Sequence, residues 1–264
     1  MNRPIGIFDS GLGGLTVVSA VRDLLPHESI IYFGDTARVP YGPKSKEAVT
    51  GYARQIAAFL LSYDVKMIVI ACNTASAYAL KTLQKSVAVP VVGVIEPGAR
   101  YAASISHSKR IGVIGTEGTI RSLSYTAAIS RFDKRAEVFT RACPLFVPLV
   151  EEGWLDHPVT RLVAREYLSL FAHHNIDTLV LGCTHYPLLK PVIAKIVGKS
   201  VRLVDSAEAT ARQVSDILIE NDIVSGRRQA GSYTFYSSDA PQKFQELGER
   251  FLGRPMSGVK KIIL

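Results

Sequence analysis

Short, largely apolar runs recur along the chain at residues 5–8, 30–33, 67–71, 91–95, 111–114, 137–140, 178–181 and 201–204. Runs this short and this weakly alternating suit strands covered on both faces, as in parallel sheets. The stretches between them change period. Over 48–63, Val49, Ala53, Ile56, Leu60 and Tyr63 recur at spacings of three and four, the mark of a helix with one buried stripe. Leu162, Val163, Tyr167, Leu170 and Phe171 repeat that spacing behind Pro158, a favoured first-turn residue. Strands alternating with such helices predict an α/β fold built from βαβ units.

The runs also repeat as a set. Ile5-Gly6-Ile7-Phe8-Asp9-Ser10 matches Ile111-Gly112-Val113-Ile114-Gly115-Thr116, Tyr32-Phe33 matches Val138-Phe139, and Met67 to Cys72 matches Thr178 to Cys183, all in one order. Each match alone is short, but their common order predicts two similar parallel-sheet α/β domains related by pseudo-symmetry. Open α/β sheets bind ligands beyond the carboxyl ends of their strands, so the functional site is expected in the cleft between the halves. A linker is expected near 102–109. The tail reads as a helix over 207–221 and a strand over 232–237 that return to the first half. That gives a discontinuous first domain, 1–97 with 207–264, and a second domain, 98–206.

Two cysteines occupy equivalent strand ends in the matched halves. Cys72 precedes Asn73-Thr74, and Cys183 precedes Thr184-His185. A thiol at a helix start meets free N–H groups and the positive end of the dipole, which favour the thiolate. Free cysteine is also a common packing residue; the pairing of two such positions is what favours chemistry. Cys143 has no matched counterpart and reads as structural. Asp9-Ser10-Gly11-Leu12-Gly13-Gly14 follows the first strand, and its glycines are expected to let a ligand approach the backbone. A dinucleotide fingerprint competes here, with Gly11, Gly13 and the acid Asp35, but its third glycine position is Thr16 and Asp9 would face the pyrophosphate. The 39–43 loop, Val-Pro-Tyr-Gly-Pro, is a turn whose Tyr41 hydroxyl and Gly42 amide are placed to clamp a substrate end. Thr116 and Thr119 serve as substrate contacts or as a helix cap. Cys72, Cys183 and His185 lack the close paired spacings of a structural zinc site, so no metal is expected. His173 and His174 close a helix and receive no role.

With 47% hydrophobic and 20% charged residues, the 264-residue chain has ample material for a core, which excludes disorder. No apolar run is long enough to span a bilayer, and the start shows no signal-peptide pattern, so a cytoplasmic location is expected. In a reducing compartment the three cysteines are expected to be free thiols. The net charge of +8 comes from scattered Lys and Arg, apart from Arg227-Arg228 and Lys260-Lys261. Without aromatic interleaving this pattern argues against nucleic acid as partner and suits an anionic small substrate equally well.

Taken together, the motifs resemble those of the glutamate racemase family: Gly6 to Gly14, Gly34-Asp35 with Pro40-Tyr41-Gly42, Ala71 to Thr74, Gly182 to Pro187, and Pro148 to Gly153. They cover about the first two-thirds of the chain in the family's order, with no departure at a site position. The resemblance implies cofactor-independent interconversion of L- and D-glutamate, supplying D-glutamate for peptidoglycan. It assigns proton removal from the D isomer to Cys72 and from the L isomer to Cys183, assisted by Asp9 and His185 respectively. Ser10, Asp35, Tyr41, Gly42, Asn73, Thr74, Thr119, Glu151 and Thr184 become substrate-binding or supporting residues, and a homodimer is implied. An aspartate racemase of the same superfamily, and a two-lobed protein that only captures an acidic amino acid, remain alternatives.

Overall fold

The structure, a computed structural model, describes residues 2–256 and 258–264. In chain order its elements are β1 (Ile5–Asp9), α1 (Leu15–Leu24), β2 (Ile30–Gly34), α2 (Lys46–Leu61), β3 (Met67–Ile70), α3 (Asn73–Ser86), β4 (Val91–Gly93) and α4 (Ile95–Ile105). They continue with β5 (Arg110–Gly115), α5 (Glu117–Arg121), α6 (Ser124–Phe132), β6 (Glu137–Ala142), α7 (Phe146–Glu151), α8 (Pro158–Ala172) and β7 (Thr178–Gly182). A 3-10 turn (Tyr186–Leu189) leads to α9 (Lys190–Val197), β8 (Arg202–Asp205), α10 (Ala207–Glu220), β9 (Tyr233–Ser237), α11 (Pro241–Leu252) and β10 (Val259–Lys261).

Two parallel sheets result, one ordered β10-β9-β2-β1-β3-β4 and the other β6-β5-β7-β8. Within each, the strand that opens the half is flanked by the next two strands in sequence, and the fourth lies outside the third. β2-β1-β3-β4 and β6-β5-β7-β8 are therefore one topology used twice, as the internal repeat predicts. β9 and β10 extend the first sheet, and the tail helix α10 packs on α1. Helices cover both faces, so β1 and β3 are buried along their whole length. Among the described residues, no helix is long and apolar enough to cross a membrane.

Four local expectations change. The 91–95 run divides: Gly93 ends β4, and Ile95 opens α4, which runs through Ile105 into the expected linker. Its apolar Ile95, Ala99, Ala102 and Ala103 pack with Ile111 and Val113, so the helix completes the second core and the 97/98 boundary falls inside it. Tyr63 lies beyond the end of α2 and is exposed, whereas Val49, Ala53, Ile56 and Leu60 form the buried stripe. In α8 the core face is Thr160, Ala164, Leu168 and Phe171, and Leu162 is 68% exposed. Small Ala164 and Thr160 let that helix lie close to its sheet, which rotates the larger Leu162 outward.

Candidate active site

Both cysteines stand where a strand hands over to the next element. Cys72 is the N-cap of α3, in extended conformation, and its sulfur accepts a hydrogen bond from the Ala75 amide at 3.4 Å. Its thiol reaches the Ser10 hydroxyl at 3.7 Å. Cys183 follows β7 and is succeeded by the 3-10 turn instead of the expected α-helix. Its Sγ lies 3.9 Å from His185 Nδ1, and His185 Nε2 lies 3.0 Å from Glu151 Oε1.

The two thiols line a single cavity of about 30 Å3, enough for about two waters. The first half supplies Ser10, Val39, Pro40, Tyr41, Gly42, Asn73 and Thr74 to its wall; the second supplies Thr116, Val147, Thr184 and His185. Two larger surface clefts, of about 510 and 470 Å3, flank α10 and contain no cysteine. The chemistry-bearing groups converge on the small closed space, so that is the candidate site.

Four expected site residues stand behind this wall. Asp9, fully buried, accepts from the Gly11 amide at 3.0 Å and from the Thr184 hydroxyl at 3.5 Å. Asp35, Thr119 and Glu151, expected as substrate contacts or supports, do not line the cavity; each touches a residue that does. Asp35 accepts hydrogen bonds from the Tyr41 hydroxyl, from Arg38 Nε at 2.7 Å and from the Ser238 hydroxyl at 2.9 Å, and so holds the 39–42 loop. Thr119 bonds Thr74 at 3.3 Å, and Glu151 holds His185. Thr116 caps α5, accepting from the Thr119 amide at 3.2 Å, and lines the cavity, where its hydroxyl lies 2.8 Å from that of Thr74. Sequence reasoning missed Val39, Pro40 and Val147 as walls, because apolar loop residues carry no chemical signature. Ser238 was missed because its link to Asp35, far along the chain, exists only in three dimensions, whereas Arg38 lies three residues from Asp35 and was open to a local reading.

Comparison with known proteins agrees with this geometry. The model of the Asp/Glu/Hydantoin racemase family matches residues 15–214. A glutamate racemase from Geobacter metallireducens is 56% identical over 262 residues, covering 99% of this chain and 97% of that protein. The crystal structure of glutamate racemase isoform RacE1 from Bacillus anthracis superposes with a TM-score of 0.96 at 40% identity, over 99% of this chain and 98% of the other. That of the Francisella tularensis glutamate racemase in complex with D-glutamate gives 0.93 at 43%, over 99% and 97%. The chain belongs to the Asp/Glu/Hydantoin racemase family.

In this racemase the electrostatics of the site differ from the sequence expectation. The helix start at Cys72 does not prevail: burial, joined by the negative charge of Asp9, pushes its thiol up to about 12 against the help of the Ala75 amide. Burial likewise raises the Asp9 carboxyl, opposed by His185 and by the amides of Gly11, Gly14 and Ser10. Burial disfavours a charge on His185, but its hydrogen bonds to Cys183 and Glu151 outweigh that cost and raise the imidazole to about 10. The site thus pairs an acid beside the first thiol with a cation beside the second.

The glycines after β1 serve the racemase in an unexpected way. A Cβ at Gly13 would stand 2.2 Å from Thr184 Oγ1 and 2.6 Å from His185 Nδ1, and one at Gly14 would stand 2.6 Å from Asp9 Cβ. What approaches the bare backbone is the second lobe at Gly13 and the first lobe's own Asp9, Ala71 and Tyr32 at Gly14, leaving no room there for a pyrophosphate. Among the described residues, no group of three or more His, Cys, Asp or Glu is placed to hold a metal ion.

Proposed function

We propose that this racemase interconverts L- and D-glutamate by a two-base mechanism in which Cys72 and Cys183 act on opposite faces of the α-carbon, with no cofactor. The observation that carries the reading is that two thiols from equivalent strand ends of a repeated fold line one small cavity. The Geobacter and Francisella relatives, the latter crystallised with D-glutamate, support glutamate as substrate.

From D-glutamate, the Cys72 thiolate removes the α-proton and becomes a thiol. The Cys183 thiol delivers its proton to the other face and becomes a thiolate, giving L-glutamate; the reverse reaction exchanges the roles. Protonated His185, 3.9 Å from Cys183 and braced by Glu151, stabilises the thiolate formed there. Cys72 needs a cation to ionise, and the substrate ammonium brings one into a site that otherwise contains Asp9. The developing carbanion is stabilised by donors at the substrate carboxylate in a closed space that excludes water; Asn73, Thr74, Thr184 and the Gly42 amide fit that part. Ser10 and Tyr41 complete the contacts, with Asp35 and Thr119 holding them.

The reading includes two lobes, expected as 1–97 with 207–264 and 98–206 but divided ahead of α4, which belongs whole to the second core. It also includes a cytoplasmic homodimer and provision of D-glutamate for peptidoglycan. The placement of β9 and β10 in the first sheet supports the discontinuous lobe.

The test is racemisation followed by circular dichroism without added cofactor, started from each isomer and repeated with aspartate. Cys72→Ala and Cys183→Ala are each expected to lose nearly all turnover while keeping the wild-type melting temperature. In heavy water, product from L-glutamate is expected to carry deuterium at the α-carbon. Either single variant racemising at near-wild-type rates in both directions, or full retention of the substrate proton, refutes the two-base assignment. Preference for aspartate replaces the substrate and leaves the chemistry. Ligand capture without turnover points to a binding protein.

A further inference from the structure

Asn73 lines the cavity at 2% exposure, and its Nδ2 is a buried donor without a hydrogen-bond partner among the described residues. An orphaned buried donor is costly, so a native structure that keeps one usually has a use for it. The other end of this amide is occupied: Oδ1 accepts a 2.7 Å hydrogen bond from the hydroxyl of Tyr125.

Tyr125 belongs to α6, on the second sheet, whereas Asn73 opens α3 on the first. The ring is buried at 2% exposure and fits against residues too small to displace it. A Cβ at Gly182 would lie 3.0 Å from Tyr125 Cε2, and one at Gly98 would lie 3.5 Å from the hydroxyl. The Ser206 side chain also hydrogen-bonds the phenol. Gly182 directly precedes Cys183, and Asn73 directly follows Cys72. One ring therefore rests beside one thiol-bearing turn and reaches the other. Burial raises the phenol well above its ordinary range, so it stays protonated. A tyrosine hydroxyl has one proton to give. Spending it on Oδ1 leaves Nδ2 unsatisfied in a residue that lines the cavity.

We infer that Tyr125 is a positioning residue of this racemase, whose hydroxyl holds the Asn73 amide with Nδ2 turned into the cavity as a donor to a carboxylate oxygen of the substrate. The inference rests on the proposed racemisation and deepens it. Without the hydroxyl the amide is free to rotate, and binding suffers more than the proton transfers, which belong to the thiols.

The experiment compares the wild type with Tyr125→Phe, Asn73→Ala and the double variant. KM and kcat are measured from both isomers, and the Kd for D-glutamate by calorimetry. Phenylalanine keeps the ring against Gly182, so the melting temperature is expected to stay close to wild type. Tyr125→Phe is expected to raise KM and Kd about fivefold, with kcat changed by less than about twofold. In the Asn73→Ala background the same substitution is expected to change Kd by less than about twofold, because its effect passes through the amide. Unchanged KM and Kd in Tyr125→Phe, or an equal effect in both backgrounds, overturns the inference. A wild type that turns over neither isomer instead refutes the proposed function, so the two failures are distinguishable.

Discussion

At the residue scale, the site is governed by which charges are forced to share a dry space. Asp9 works against a thiolate at Cys72, so removing its charge has a definite sign. Asp9→Asn retains an oxygen to accept from the Gly11 amide but lowers the Cys72 thiol, and alkylation of Cys72 by iodoacetamide at pH 8 is expected to be faster than in wild type. An unchanged rate would show that burial alone holds the thiol up. His185 supplies a second test. Its imidazole is raised from 6.5 to about 10, so the folded state holds that proton more tightly than the unfolded chain. The resulting stability is complete below pH 6.5 and disappears as pH rises through about 10. Cys72, raised from 9.0 to about 12, adds a similar loss only above pH 9. Thermal melts between pH 6.5 and 9 therefore isolate the histidine. The wild-type melting temperature should fall across that window, and His185→Asn should flatten the slope; parallel curves would remove the charge from His185.

Elements explain what the sequence disclosed and what it withheld. β1, β2, β3, β5 and β7 were legible because parallel strands buried on both faces must be apolar throughout, which leaves a local trace. The cysteines were legible because each is embedded in such a trace. α4 was misread at its start because Val94 and Ile95 resume the apolar run of Val91-Val92 past Gly93, and only packing against the second sheet makes Ile95 helical. α11 escaped because its partner Leu15 is remote in sequence, and β10 because its three residues, two of them lysines, are too few and too polar to leave an apolar trace. The glycines were legible as a close approach, but not what approaches. That distinction yields a prediction for the turn before α1. Gly13→Ala places a methyl group where Thr184 and His185 stand, while nothing within the first lobe itself opposes it so closely. Separation of the catalytic groups by even an ångström is costly to proton transfer, so kcat/KM is expected to drop about a hundredfold. The lobes should still fold, and a melting temperature within a few degrees of wild type would locate the damage at their junction. Near-normal turnover in this variant would mean that the lobes need not close as seen.

For the whole molecule, the cavity poses a problem of access. About 30 Å3 is too little for glutamate, and a cleft of about 340 Å3 shares Val39, Pro40, Gly42, Thr116 and Val147 with it, so these walls between the lobes must shift to admit the substrate and to release the product. Besides the Tyr125–Asn73, Thr184–Asp9 and Thr119–Thr74 hydrogen bonds, two further polar contacts join the lobes beside the cavity. The Gly118 amide donates to the Gly42 carbonyl at 2.9 Å, and the hydroxyls of Thr74 and Thr116 meet at 2.8 Å. The first is backbone and resists substitution, but the second can be removed. Thr116→Val keeps the shape and deletes the hydroxyl, whereas Thr116→Ser keeps the hydroxyl. If opening governs entry, both thiols in Thr116→Val should react with iodoacetamide several-fold faster than in wild type, roughly the effect of one lost hydrogen bond. Thr116→Ser should remain close to wild type, and Thr74→Val, which breaks the pair but leaves the Thr116 cap of α5 in place, should match Thr116→Val, which separates the latch from a general loosening of α5. Saturating D-glutamate should protect every variant, because the substrate occupies the space the reagent needs. Equal alkylation rates in wild type and Thr116→Val would assign the closed state to packing of the apolar walls, with the threonine pair contributing nothing to how often the cleft opens.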